Sequence, residues 1–64
     1  MRLREFRERV HEEFGRQFGD TLLRDHALLA YGGATALTAI EKGAEPKLVW
    51  QALCQDFDVP RQRW

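Results

Sequence analysis

The sequence contains no serine and only one cysteine, Cys54, and these shortages remove whole classes of chemistry. A serine nucleophile is excluded, and a lone thiol closes no intrachain disulfide and builds no thiolate cage for zinc. No apolar run approaches the roughly 18 residues that suggest a membrane span. Net charge is missing as well. Ten Lys and Arg balance ten Asp and Glu, so the whole-molecule field exerts no general pull on nucleic acid or an anionic membrane. Strand-period alternation, internal repeats and linkers are absent, and the opening MRLREFRERV carries charges where a secretory leader needs apolar residues. A cytosolic protein outside any membrane is expected.

What is present is helical. Sixty-four residues, 44% of them hydrophobic, with four Phe, two Trp and one Tyr, suit one small domain over residues 1–64. A chain near this length hides only about 60% of its unfolded surface, so a net stability of a few kcal/mol is expected. Leu3, Phe6, Val10 and Phe14 recur along one helical stripe, predicting a first helix over about 2–14 that Gly15 stops. Glu5 to Arg9 and Glu12 to Arg16 are spaced i,i+4 in the favourable order on its exposed face.

A second helix is predicted over about 20–31, capped by Asp20 and turning Leu22, Leu23, His26, Leu29 and Ala30 inward. A start near Arg16, with Gly19 carried inside at some cost, is the alternative. Gly32-Gly33 ends it. Thr35 caps a short third helix over about 35–42 that turns Ala36, Leu37 and Ile40 inward. Gly43 ends that one, and Pro46 opens a fourth over about 46–57, with Val49, Trp50, Leu53 and Phe57 on one face. Asp58-Val59-Pro60 closes it, because a residue before proline is pushed out of the α region. The expected fold is all-α: a compact bundle of three main helices and one short one, with a helix-turn-helix-like segment from Thr35 to Trp50.

Several of these stretches resemble one family. MRLREF followed by RV and FG, LRDHALLAYGG, the T, AI and G of the third helix, and above all EPKLVWQALCQDFDVP are similar to the actinobacterial domain-of-unknown-function family 3046, over nearly the whole chain. Arg7 departs from the tryptophan common at that position in the family. The resemblance implies a short cytosolic protein with no established activity and no catalytic or binding residue to carry over. It also implies, through genes often placed beside a recombinase and its regulator, a loose association with DNA repair.

The helix-turn-helix outline is half met. Ala39, Gly43 and Val49 fit it, but Thr38 and Lys42 stand where the pattern is apolar. From Glu41 to Asp58 four acids face two lysines, the wrong sign for phosphate contacts. Lys47 and Gln51 are the DNA-contacting candidates of that reading. His26, between Leu22 and Leu29, is expected in the core, bonded to backbone or carboxylate, rather than in acid–base catalysis. A metal would have to recruit His11, His26 and Cys54 from three helices with no local ligand pair, and Cys54 beside Trp50 and Phe57 reads as a small core residue. Gly32-Gly33 lacks the context of a phosphate loop. No enzyme, metal or cofactor is therefore expected.

The leading expectation is a non-catalytic protein-interaction module. Leu28 and Leu48 point away from their helices' apolar faces and suggest an exposed patch, and Arg61, Arg63 and Trp64 form a tail that either folds over the core or docks on a partner. The partner's identity and the oligomeric state are not legible in the residues.

Overall fold

In the computed structural model, which describes every residue from Met1 to Trp64, the first helix, α1 (Leu3–Phe14), stops at Gly15 with φ 85° and ψ 157°. L side chains rarely adopt that backbone conformation, and it reverses the chain within one residue. The second helix, α2 (Arg16–Asp25), therefore begins at Arg16 rather than near Asp20. Gly19 lies inside it and is buried. A mid-helix glycine costs roughly 1 kcal/mol relative to alanine, and close packing is what it permits. A Cβ at Gly19 would stand 3.0 Å from Val10 Cγ1 and 3.3 Å from the Val10 carbonyl oxygen, so α1 and α2 meet where no side chain intervenes. Asp20 caps nothing; it is a mid-helix residue.

The end of α2 also differs from expectation. His26 is extended at φ −78° and ψ 122°, so the helix stops at Asp25 and not at residue 31. The chain then closes a loop through its own backbone. Leu28 N–H donates to Ala34 O at 2.8 Å, Gly33 N–H donates to Leu28 O at 2.9 Å, and a single 3-10 turn, Leu29–Tyr31, fills the loop. Gly32 and Gly33, at φ 64° and 90°, make that closure possible. Three assignments are reversed as a result. Leu28, expected on the surface, is fully buried, Leu29, expected in the core, is 85% exposed, and Ala30, also expected inward, is exposed.

Thr35 caps α3 (Ala36–Glu41) as its sequence predicts, its hydroxyl accepting from Thr38 N–H at 3.2 Å. After a turn of residues 42–45, Pro46 occupies the first turn of α4 (Pro46–Asp56). Both helices end in the same way. Ala44 N–H reaches back to Ala39 O and Gly43 N–H to Ile40 O, while Val59 N–H reaches Cys54 O and Asp58 N–H reaches Gln55 O. This six-to-one and five-to-two pairing places the residue after the cap in the left-handed region. Gly43 meets the requirement freely at φ 100°, and Asp58 meets it at φ 55° with a side chain attached.

The architecture is all-α, with four α-helices and no strand. Phe6 and Val10 of α1, Leu23 of α2, Ala36 and Ala39 of α3, and Val49, Trp50, Leu53 and Cys54 of α4 meet with Leu28 and Val59 in one core. Every buried side-chain nitrogen or oxygen has a hydrogen-bond partner. No helix is long and apolar enough to cross a membrane.

Candidate functional site

The titratable groups that suggest chemistry are each engaged inside the fold. His26 leaves the end of α2 and donates from Nε2 to Asp56 Oδ2 on α4 at 2.8 Å, with its ring 4.7 Å from that of Phe57. The carboxylate partner is as expected. The burial is partial, because the helix ends before His26 and leaves the imidazole at the rim of the core. His11 of α1 donates to Asp20 Oδ1 of α2 at 2.6 Å, and this hydrogen bond holds the Asp20 carboxyl below its ordinary value. Cys54 is fully buried, and desolvation, reinforced by the charge of Glu13, pushes its thiol up to about 11. A thiol in that state is a poor nucleophile at neutral pH. His11, His26 and Cys54 do not converge, and no group of three metal-capable side chains forms.

The tail is docked. Trp64 indole N–H donates to Val59 O at 2.7 Å, and its own carbonyl accepts from the Trp50 indole N–H at 2.8 Å and from the Arg9 guanidinium of α1. Arg63 forms a two-point pair with Glu13, both contacts at 3.0 Å. Arg61 lays its guanidinium over the Trp64 ring, 4.2 Å from the centroid. An amphipathic indole whose one N–H is satisfied is well suited to this half-buried position.

Docking the tail creates a groove of about 460 Å³ with one wall from α4 and the others from the 29–31 turn and the tail. It is lined by Ala30 and Tyr31, by Leu48, Gln51, Ala52 and Gln55 of α4, and by Arg61 and Trp64. Leu48 is 54% exposed at its edge. Three of the five residues singled out for partner binding, Leu48, Arg61 and Trp64, meet here. Leu28 does not, since the backbone-closed loop turns it into the core. Arg63 is committed to Glu13, where it lines a different, mostly polar hollow with Arg9, Glu12 and Gln62. Of the two DNA-contacting candidates, Gln51 lines the groove and Lys47 is exposed one turn before it on α4.

Ala30, Tyr31 and Gln55 were not singled out from the sequence. A signal for the first two existed: LAY directly before a double glycine fits a tight turn as well as a helix end, and a turn frees those side chains from helical periodicity. A second apolar surface was missed too. Phe18, 52% exposed, stacks edge-on with Phe14 and Phe57, but its neighbours there are rings that satisfy one another and an already paired histidine.

Comparison with known proteins adds three findings. The family model described as "Protein of unknown function (DUF3046)" matches residues 1–62. The chain is similar to a protein of Mycobacterium tuberculosis (strain ATCC 25618 / H37Rv) named "Putative envelope-preserving system protein", 60% identical over 37 residues. That stretch is 58% of this chain and 13% of the relative's length. No solved structure matches.

Proposed function

Because this chain belongs to the DUF3046 family, whose description assigns no activity, we propose from its surface that it is a non-catalytic protein-interaction module. The observation that carries this reading is the groove beside Leu48, where apolar side chains from α4, the 29–31 turn and the tail converge with an exposed leucine at the edge. Convergence from separate elements distinguishes such a surface from the singly exposed leucines common on any protein. Support also comes from the pairing of His11 with Asp20 and of His26 with Asp56 and from the burial of Cys54, which commit those groups to contacts within the chain. The similarity of a 37-residue stretch to part of a much longer relative fits a module used within larger assemblies.

The rival reading is a weak DNA-binding or repair-associated accessory role through the α3–turn–α4 segment. It rests on Lys47 and Gln51. Two features weigh against it: the segment from Glu41 to Asp58 has four acids and two lysines, and α3 has only six residues.

The two readings separate in one experiment. A protein captured from native cytosol by the wild-type chain, lost with Leu48→Glu and retained at high salt, is the expected result. Binding to duplex DNA that collapses as salt rises and disappears with Lys47→Ala would replace the interaction reading.

A further inference from the structure

Resting on that interaction reading, we propose that the groove takes an acidic, leucine-bearing segment of a partner protein, with apolar side chains against Leu48, Ala52 and Tyr31 and a carboxylate on Arg61. The charge of the groove selects this chemistry. Arg61 is the one charged residue that lines it, and no carboxylate does. The molecule's ion pairs engage the N-terminus with Glu45, His11 with Asp20, His26 with Asp56 and Arg63 with Glu13. Arg61 and Lys47 are in none of them.

The guanidinium of Arg61 is spent on only one side. Its flat face covers the Trp64 ring, which holds the group in place, while its edge carries N–H donors that bond to nothing in the chain. A planar fork held in this way matches a carboxylate at two points. Stacking lowers the cost of ordering the side chain when the carboxylate arrives. Gln51 and Gln55, four residues apart and so on one row of α4, offer amides to the partner's main chain along one side of the apolar floor. On a molecule of zero formal net charge, Arg61 makes this groove locally cationic, so a basic segment meets repulsion and a neutral one leaves Arg61 unpaired.

The aromatic patch around Phe18 does not compete, because the nearby imidazole and carboxylate of His26 and Asp56 already pair with each other and nothing there selects one partner over another.

The test is selection of phage-displayed random peptides on the immobilised 64-residue chain, followed by titration of the strongest peptide into isotope-labelled protein. Expected are sequences with Asp or Glu within a turn of Leu or another large apolar residue, and amide shifts centred on Leu48, Gln51 and Gln55. Leu48→Glu should weaken binding about tenfold or more, as loss of a central apolar contact does. Arg61→Gln should weaken acidic peptides about tenfold, the effect of one lost charge-assisted contact, and should leave acid-to-amide versions of the same peptides unchanged. Because Arg61 stacks on Trp64, the amide versions report any loosening of the tail, which would weaken both sets of peptides alike. Selection of acid-free or basic peptides, or shifts centred on Phe18, would overturn the acidic-segment assignment and leave the interaction reading standing. Failure to select any peptide would overturn both.

Discussion

The segment from His26 to Thr35 and the segment from Val59 to Trp64 both lack α-helix, and both form walls of the same groove, but different forces hold them. The first is closed by main-chain hydrogen bonds among Leu28, Gly33 and Ala34, with one side chain, Leu28, driven into the core. The second makes its long-range contacts through the side chains of Trp50, Arg9 and Glu13, while the Trp64 ring bonds back to Val59 within the segment. The difference is instructive about where information resides. A backbone-closed loop depends on a few residues of special conformation, whereas a side-chain-docked tail depends on residues fifty positions away.

The contrast can be broken most forcefully at Leu28. Replacing it with alanine should cost about 2–5 kcal/mol, much of the stability such a small domain has, while Leu29→Ala next to it should change urea unfolding by less than about 0.5 kcal/mol. Equal effects at the two positions would mean that the loop does not orient its side chains as described. The tail comes second. Trp64→Ala should lower stability by about 2 kcal/mol, less than a fully buried tryptophan because the ring is half-exposed, and thermal melting would show it. No loss would detach the tail from the fold and return Trp64 to the role of a free docking residue.

Third is Gly33→Ala, which places a side chain at φ 90° and should cost about 1–3 kcal/mol with no change in the contacts of the tail. Hydrogen exchange should show faster opening confined to residues 28–34. A uniform increase over the whole chain would mean that loop and tail form one cooperative unit.

The smallest effect concerns pH and lies outside both segments, which makes it a control. The Asp20 carboxyl is lowered beneath its ordinary 3.8, first by the His11 hydrogen bond. A depressed carboxyl contributes stability that is present above the unfolded value and is lost as pH falls through the folded one. Because Asp20 is exposed, this contribution is small. NMR titration of His11→Ala should show the Asp20 carboxyl moving back up, with the loop and tail resonances undisturbed.

Much of the helical plan was legible residue by residue. The stripe Leu3, Phe6, Val10, Phe14, the Thr35 cap, Pro46 at the start of α4 and the stop before Pro60 are signals contained within one or two turns of chain. Asp20 was misleading for the same reason. As a capping residue type it invites a helix start, and only the approach of Val10 to Gly19 shows why the helix runs through both. The groove was half legible. Leu48, Arg61 and Trp64 stood out as apolar or stacking residues without an obvious place, but LAY before a double glycine fitted a helix end as well as a turn, and only the closed loop brings Ala30 and Tyr31 to the groove.

Local periodicity, capping and turn chemistry were enough to make this chain all-α and to set where three of its four helices begin, because those preferences act between residues a few positions apart. The burial of Leu28, the exposure of Leu29, the place of Gly19 and the docking of Trp64 were settled by packing. Each depends on a surface supplied by a distant part of the chain, and no signal at the residue itself reports whether that surface will be there.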